Sequence, residues 1–126
     1  MPNILIADDS EMWRRMSKDA LSAYGHSIRE ADSGESAVAT AQDSPVDLVV
    51  MDYGMPSLNG IEAAGLLRQV PGCERVPIIL LTAEDFPGDC AETPLPFVTG
   101  YVDKKRIFSD LADCVGQHLD GARASA

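Results

Sequence analysis

Three aspartates follow two apolar runs of the chain, and their positions suggest a shared site. Asp8 and Asp9 come directly after the run at residues 3–7, and Asp52 follows the run at residues 46–51. Ligands of parallel α/β sheets bind at the carboxyl ends of the strands, so the three carboxylates could share one pocket. Three adjacent acids cannot all stay ionised without a cation. The simplest cation is Mg²⁺, and it would prepare Asp52 to act as a nucleophile.

The bulk composition limits the class of protein. The 126 residues suit one domain, and contents of 45% hydrophobic and 24% charged residues are ordinary for a soluble globular protein. The 20 acidic residues outnumber the 10 basic ones, giving a net charge of −10. A nucleic-acid binder needs a basic surface to neutralise phosphates, so no nucleic-acid partner is expected. No apolar segment approaches the length of a membrane span, so no membrane partner is expected either.

The cysteines indicate a reducing compartment. Cys73, Cys90 and Cys114 are odd in number, widely spaced and outside any CxxC motif. We interpret them as reduced thiols, and we expect a cytoplasmic location. Residues 1–120 are predicted to form the domain, and residues 121–126 a C-terminal tail or the stub of a linker.

Five short segments are predicted to be strands, at residues 3–8, 27–31, 46–51, 76–81 and 97–102. Helical patterns between them imply a parallel sheet with right-handed crossovers and helices on both faces. The apolar character of the strands fits a sheet that is covered on both sides. The predicted fold class is therefore α/β, with a doubly wound five-stranded parallel sheet.

Capping residues and apolar spacing predict the helices. Ser10 can cap the first helix, which Gly25 ends. Asp32 with Glu35 predicts a capping box for the second helix, which runs to about residue 43. The dipeptide at residues 59–60 opens a third helix. The last helix is predicted from apolar residues at strict i+4 spacing, which are Ile107, Leu111, Val115 and Leu119.

Residues 85–97 do not fit the helical pattern. Pro87, Gly88, Pro94 and Pro96 fall where the fourth helix of the alternation is expected. Proline inside a helix removes a hydrogen bond and clashes with the preceding turn. We therefore predict an irregular fourth helix of at most two turns.

The polar residues at the predicted strand ends resemble those of the response-regulator receiver domains (CheY-like) of two-component signalling. The resemblance extends from about residue 2 to residue 120. It comprises Asp8-Asp9 after the first strand, Asp52 after the third, Thr82 after the fourth and Lys104 after the fifth. The stretch at residues 51–60 also resembles the family's phosphoacceptor loop. Each motif alone is weak, but together and in this order they are specific. The resemblance implies a flavodoxin-like arrangement of the sheet.

The resemblance implies a metal site around a phosphoacceptor. Asp52 would accept the phosphoryl group. Asp9 would bind Mg²⁺ directly, Asp8 would bind it through water, and the backbone carbonyl of Gly54 would be a further ligand.

The resemblance also implies a switch. Thr82 would donate a hydrogen bond to the bound phosphoryl group. Lys104 would pair with Asp52 and then with a phosphoryl oxygen. Tyr101 corresponds to the aromatic residue whose rotamer tracks phosphorylation in the family.

The implied function is that of a phosphoacceptor in a phosphorelay. A partner histidine kinase or phosphotransfer protein would phosphorylate Asp52, and the domain would signal through protein–protein contacts to a target that stays open. No dedicated small-molecule substrate is expected.

Two alternatives are weighed. The first is a phosphatase or hydrolase with an aspartyl nucleophile, but the sequence shows no cap that would enclose a substrate. The second is a degenerate receiver that only binds protein. The chain could be a stand-alone relay or a receiver cut from a longer regulator or hybrid kinase.

The chain departs from the family at three further positions. Lys105 replaces the proline that usually follows the lysine, and the family's Lys-Pro bond is typically cis. A cis bond before a non-proline residue costs about 2.5–4 kcal/mol, so we predict a trans bond between Lys104 and Lys105. Gly54 and Glu84 occupy the variable positions that modulate phosphoryl lifetime in the family.

Overall fold

A five-stranded parallel sheet organises the computed structural model, which describes residues 2–90 and 92–124. The strands are β1 (Asn3–Ala7), β2 (Ser27–Ala31), β3 (Leu48–Asp52), β4 (Ile78–Thr82) and β5 (Gly100–Asp103). Their order is β2-β1-β3-β4-β5, and every neighbouring pair is parallel. This is the flavodoxin-like doubly wound arrangement, so the predicted fold class is confirmed.

Two pairs of helices cover the two faces of the sheet. The helices are α1 (Glu11–Leu21), α2 (Gly34–Asp43), α3 (Gly60–Leu67) and α4 (Ile107–Ala124). Helix α1 packs against α4 on one face, and α2 packs against α3 on the other. None of the described helices is long and apolar enough to cross a membrane.

The central strands send alternate side chains into two separate cores. Val49 and Met51 of β3 pack into the core under α2 and α3, whereas Leu48 and Val50 pack into the core under α1 and α4. Because both faces are buried, β3 carries no polar side chain until Asp52, its last residue. Polar chemistry is therefore confined to the edge of the sheet where the strands end.

The first helix begins as predicted. The Ser10 hydroxyl accepts a hydrogen bond from the backbone N–H of Trp13 at 3.3 Å and so caps α1. A 3₁₀ turn at Ser22–Tyr24 extends the helical path to Gly25, whose φ of 72° lies in the left-handed region. A glycine adopts this conformation without steric cost, which is why the helix ends there.

The predicted capping box at the start of α2 is wrong. Ser33, and not Asp32, is the cap, and its hydroxyl accepts from the N–H of Ser36 at 3.0 Å. Because the helix begins at Gly34, Asp32 lies one residue too early to reach the first turn. A complete capping box does occur at α3, where Asn59 and Glu62 bond each other's backbone N–H groups at 2.9 Å.

No helix forms between β4 and β5 among residues 83–90 and 92–99, so the predicted irregular fourth helix is replaced by an irregular loop. The limit of two turns holds, but the prediction that a helix remained was wrong. Proline supplies no backbone donor, and side chains take over part of the bonding. The Thr93 hydroxyl donates to the Pro87 carbonyl at 2.5 Å, and the Tyr101 hydroxyl donates to the Phe86 carbonyl at 2.7 Å.

The chain turns sharply after β5. The described residues contain no cis peptide bond, so the bond between Lys104 and Lys105 is trans, as predicted. A 3₁₀ turn at Lys104–Arg106 leads into α4, and the Asp103 carboxylate caps it by accepting from the Lys105 N–H at 2.9 Å. Helix α4 continues to Ala124, and the boundary at residue 120 stays a prediction. Residues 125–126 of the predicted tail lie outside the described residues.

Candidate functional site

Strand register brings the predicted site residues to one edge of the sheet. Ala7 of β1 pairs with Met51 of β3, so the next residues, Asp8 and Asp52, lie side by side. Thr82 of β4 pairs with Asp103 of β5, so Lys104 emerges from the same edge. The sheet thus assembles residues that are widely separated in sequence.

Lys104 points into the acidic cluster. Its Nζ lies 2.9 Å from Oδ1 of Asp52 and 3.7 Å from Oδ2 of Asp8. Both carboxylates are almost fully buried, whereas 14% of the lysine side chain is exposed. One ammonium therefore compensates part of the charge of two buried acids, with Lys105 and not proline at the next position.

The environment of Asp8 disfavours the charged form of its carboxyl group. Burial, together with the nearby charge of Asp52, raises the pKa of the Asp8 carboxyl from 3.8 to about 6. A hydrogen bond from the Ser10 N–H to Oδ1 at 2.9 Å opposes this rise only in part. The other oxygen, Oδ2, is buried and accepts no hydrogen bond. A buried carboxylate oxygen that accepts no hydrogen bond lowers the stability of the fold unless a nearby cation compensates its charge.

The three carboxylates fit a hard divalent cation. Ligand oxygens of Asp8, Asp9 and Asp52 lie within 4.8 Å of one another. Asp9 is exposed, whereas Asp8 and Asp52 are buried. A donor set of carboxylate oxygens and an unsatisfied buried oxygen suits Mg²⁺, which keeps several waters. Gly54, the further predicted ligand, is exposed two residues after Asp52, and a Cβ there would meet no atom within 4 Å.

Thr82 is fixed within its own loop. Its buried hydroxyl accepts a hydrogen bond from the N–H of Glu84 at 2.9 Å. A hydroxyl that accepts one bond still has its hydrogen to donate, so this contact leaves Thr82 able to serve a further acceptor. The side chain of Glu84 is exposed.

Tyr101 lies half-buried behind the site and contacts the loop before β5. Its ring packs edge-on against Phe86, with ring centroids 6.2 Å apart, and Phe86 packs edge-on against Tyr53 at 5.1 Å. Tyr53 directly follows Asp52 in the chain. A continuous row of aromatic rings therefore connects the acceptor strand to Tyr101.

Sequence reasoning missed three residues that shape the site. The Trp13 ring lies under the Lys104 ammonium, with Nζ 4.8 Å from the ring centre. Arg14 donates from Nη1 to the Asp8 carbonyl at 2.7 Å. Gly60 approaches the acceptor strand so closely that a Cβ would lie 2.5 Å from the Asp52 carbonyl oxygen. The available signals were that α1 starts just after the acid pair and that a glycine opens α3.

Comparison with known proteins agrees with this geometry. The family model described as the response regulator receiver domain matches residues 4–115. The chain belongs to the response-regulator receiver family. Receivers of this family are components of two-component signalling.

Two curated relatives resemble this receiver over most of their length. It is 37% identical over 87 residues to Protein PilH of Pseudomonas aeruginosa, covering 68% of this chain and 70% of that protein. It is 32% identical over 102 residues to chemotaxis protein CheY-3 of Vibrio cholerae, covering 80% and 78%. Other relatives are far longer: the receiver spans 11% of a gliding motility regulatory protein of Myxococcus xanthus and 14% of the sensor kinase/phosphatase LuxN of Vibrio harveyi.

A solved structure of similar fold carries a metal. The receiver superposes with a TM-score of 0.78 on response regulator protein TrrA from Thermotoga maritima, which was solved in complex with Mg(2+)-BeF. The two are 32% identical, with 93% of this chain and 98% of that chain covered.

Proposed function

We propose that this receiver is a phosphorelay acceptor switched by Mg²⁺-dependent phosphorylation of Asp52. The observation that carries the proposal is the convergence of Asp8, Asp9 and Lys104 on that one buried carboxylate. Positioning and charge stabilisation are most of what phosphoryl transfer requires from a protein. Asp9, Asp52 and the backbone carbonyl of Gly54 would hold the Mg²⁺, with Asp8 binding it through water.

The transfer step uses one carboxylate oxygen of Asp52 as the nucleophile. A carboxylate oxygen attacks the phosphorus of a phosphohistidine on the donor, the N–P bond breaks, and the imidazole leaves with the electron pair. When bound, Mg²⁺ supplies positive charge to the phosphoryl oxygens. Lys104 exchanges its bond to Asp52 for one to a phosphoryl oxygen, and Thr82 donates its hydroxyl hydrogen to another.

The donor is a histidine kinase or phosphotransfer protein that acts on the receiver in the cytoplasm. Support comes from relatives described as a sensor kinase/phosphatase and a probable histidine kinase, each of which contains a region similar to this chain. Transfer from a protein donor explains why the site needs no enclosing cap. We further propose that the receiver has no small-molecule substrate of its own and signals by contacts with a target protein. The net charge of −10 is consistent with such a target and unfavourable for nucleic acid.

Thr82 and Tyr101 transmit the phosphorylation of Asp52 to the surface that contacts the target protein. If Thr82 moves toward the phosphoryl group, its bond to Glu84 lengthens and the loop that holds the Tyr101 hydroxyl at Phe86 is released. The change is a shift between two pre-existing states.

Labelling of the full chain with acetyl phosphate, followed by intact mass, tests the acceptor. Modification is expected with Mg²⁺ and not with EDTA, and Asp52→Asn should abolish it while the exposed control Asp43→Asn leaves it unchanged. Asp9→Ala should reduce it by weakening the metal. Efficient labelling of Asp52→Asn contradicts the assignment. Steady turnover of phosphate monoesters would instead support an enzyme.

The switch requires a separate measurement. Crystals of the free and the Mg²⁺–beryllofluoride forms are expected to differ in the Tyr101 rotamer. Thr82→Ala should accept the label yet lose the change at Tyr101, and Thr82→Ser should restore it. Identical Tyr101 rotamers in the two forms contradict this coupling.

A further inference from the structure

A second cluster of metal-ligating side chains lies outside the carboxylate site, where the loop before β5 meets α4. Cys90, Cys114 and His118 each offer one ligand atom, and these atoms lie within 4.8 Å of one another. The phosphorylation chemistry uses none of the three. The cluster therefore needs its own explanation.

Helix α4 sets two of the three positions. Cys114 and His118 are four residues apart, so they lie one above the other on the same helix face. Cys114 is fully buried, and His118 is half-buried. This spacing is also found where two helical side chains share one metal ion.

The sheet edge holds Cys90 above that helix face. The carbonyl of the preceding residue, Asp89, accepts from the Tyr101 N–H at 3.1 Å. A Cβ at Gly100 would overlap the Cys90 carbonyl, so only glycine allows this approach. The Cys90 carbonyl oxygen lies 3.5 Å from Cys114 Sγ and 2.5 Å from His118 Nε2. The loop is thus held in place by β5 and α4 together.

Two thiol sulfurs and an imidazole form a soft donor set that differs from the three carboxylates. Thiolates and imidazole suit Zn²⁺, with bonds of about 2.3 Å to sulfur and about 2.0–2.1 Å to nitrogen. Ligands of one tetrahedral zinc ion lie about 3.5–3.8 Å apart, so a cluster whose ligand atoms lie within 4.8 Å of one another must contract by at most about 1.3 Å.

We propose that Cys90, Cys114 and His118 bind a thiophilic divalent ion, Zn²⁺, independently of phosphorylation. The Gln117 amide oxygen lies 3.9 Å from Cys90 Sγ and can provide the fourth ligand, as can water. An open groove of about 410 Å³ beside Cys90 provides the approach. Its lining is rich in carboxylates, which raise the local concentration of cations, and these are Asp85, Asp89, Asp103 and Asp110.

The bound ion would join the loop to the last helix. The Cys114 thiol and Nε2 of His118 already lie within hydrogen-bonding distance of the Cys90 carbonyl, and a shared ion would add bonds to the Cys90 side chain. The same loop accepts the Tyr101 hydroxyl at Phe86. Bound zinc would therefore hold the loop whose Phe86 carbonyl accepts the Tyr101 hydroxyl. Zinc binding would regulate the position of Tyr101 in addition to phosphorylation.

Cobalt titration of the full reduced chain tests the site. Saturating Mg²⁺ is kept present to occupy the carboxylates, and a phosphine reductant prevents disulfide formation. One equivalent of Co²⁺ is expected to give sulfur-to-cobalt charge-transfer absorption, and Zn²⁺ is expected to displace it. Carboxylate-bound cobalt gives no such band, so the spectrum separates the two sites.

Matched variants assign the ligands. Cys90→Ser and His118→Gln are expected to weaken cobalt binding at least about tenfold. Cys73→Ala, which alters the cysteine on the opposite face of the sheet, and His26→Gln should leave it unchanged. Hydrogen exchange of the loop should slow with Zn²⁺ in the parent chain and not in His118→Gln.

Three results would overturn the proposal. The first is an absence of charge-transfer absorption in the folded parent chain, which needs no variant to interpret. The second is a band that survives Cys90→Ser and His118→Gln. The third is a disulfide between Cys90 and Cys114 that forms in air, while the reduced chain binds no metal. That result would make the two cysteines a redox-sensitive pair.

Discussion

Lys104 places its ammonium over the face of the Trp13 ring, with Nζ 4.8 Å from the ring centre. A cation in this position is stabilised by about 0.5–2 kcal/mol, and more when it is shielded from water. The contact connects the first turn of α1 to the turn after β5. It directs the lysine toward Asp52 although the chain has Lys105, and not proline, at the next position.

Replacing Trp13 should therefore slow phosphorylation of Asp52. Trp13→Leu removes the aromatic face and is expected to reduce the initial rate of acetyl phosphate labelling about 2- to 10-fold, since about 0.5–1.4 kcal/mol of lysine positioning is lost. Trp13→Phe retains a ring and should recover most of the rate. Equal rates for the parent chain and Trp13→Leu would show that the ring does not position Lys104.

Asp8→Asn should stabilise the metal-free protein. The pKa of the buried carboxyl is raised from 3.8 to about 6, so folding favours its protonated form. The stabilisation of the fold by protonated Asp8 is complete below pH 4 and is lost as the pH rises through 6. At pH 8 the carboxyl is charged and its burial lowers the free energy of unfolding. The neutral amide should raise the free energy of unfolding by about 1–3 kcal/mol at pH 8.

Urea unfolding in EDTA measures this effect. The gain from Asp8→Asn should shrink as the pH falls toward 4, and the exposed control Asp9→Asn should change the unfolding free energy much less. Added Mg²⁺ should stabilise the parent chain more than Asp8→Asn. A destabilised Asp8→Asn protein at pH 8 would disprove the predicted cost of this carboxylate.

Gly60→Ala should destabilise the domain and distort the acceptor strand. A Cβ at residue 60 would lie 2.5 Å from the Asp52 carbonyl oxygen and 2.8 Å from Cδ1 of Leu80. Overpacking of this kind costs about 1–3 kcal/mol. Thermal or urea unfolding gives the free energy, and acetyl phosphate labelling reports on the strand.

Gly116→Ala is the matched control for that substitution. Residue 116 lies inside α4, where a Cβ would meet no atom within 4 Å. Alanine there should stabilise the domain by about 0.5–1 kcal/mol because it restricts the unfolded chain and favours the helix. If both substitutions have the same effect, close packing at Gly60 is not the reason for its glycine.

The loop between β4 and β5 should be the least protected part of the domain in hydrogen exchange. Its backbone lacks the regular bonding of a helix, whereas β1 and β3 are buried at the centre of the sheet. Tyr101→Phe removes the hydroxyl bond to Phe86 and should raise exchange in the loop about 2- to 10-fold, for a bond worth about 0.5–1.5 kcal/mol. Tyr24→Phe, at an exposed position, should not.

Much of the fold followed from local chemistry. The strands were visible because burial on both faces requires continuous apolar segments. The cap at Ser10 was visible because a cap needs a side-chain oxygen beside the first turn. Asp8, Asp9 and Asp52 were visible because parallel strands end at one edge of the sheet, whereas Thr82 and Lys104 were found through the resemblance to receiver domains. The capping residue of α2 was misplaced because Asp32 and Ser33 are both competent caps and differ by a single position.

What the sequence determined by itself was the alternation of strands and helices, the aspartates at strand ends, and an upper limit on helical structure where prolines accumulate. Only the tertiary structure decided which distant groups meet. Trp13 lies against Lys104, and Cys90 lies over Cys114 and His118, because loops and helices from different parts of the chain pack on the same sheet. The spacing of apolar residues does not predict such contacts. They depend on the path of the connections between strands and on the close approach of backbone segments, as at Gly60 and Gly100.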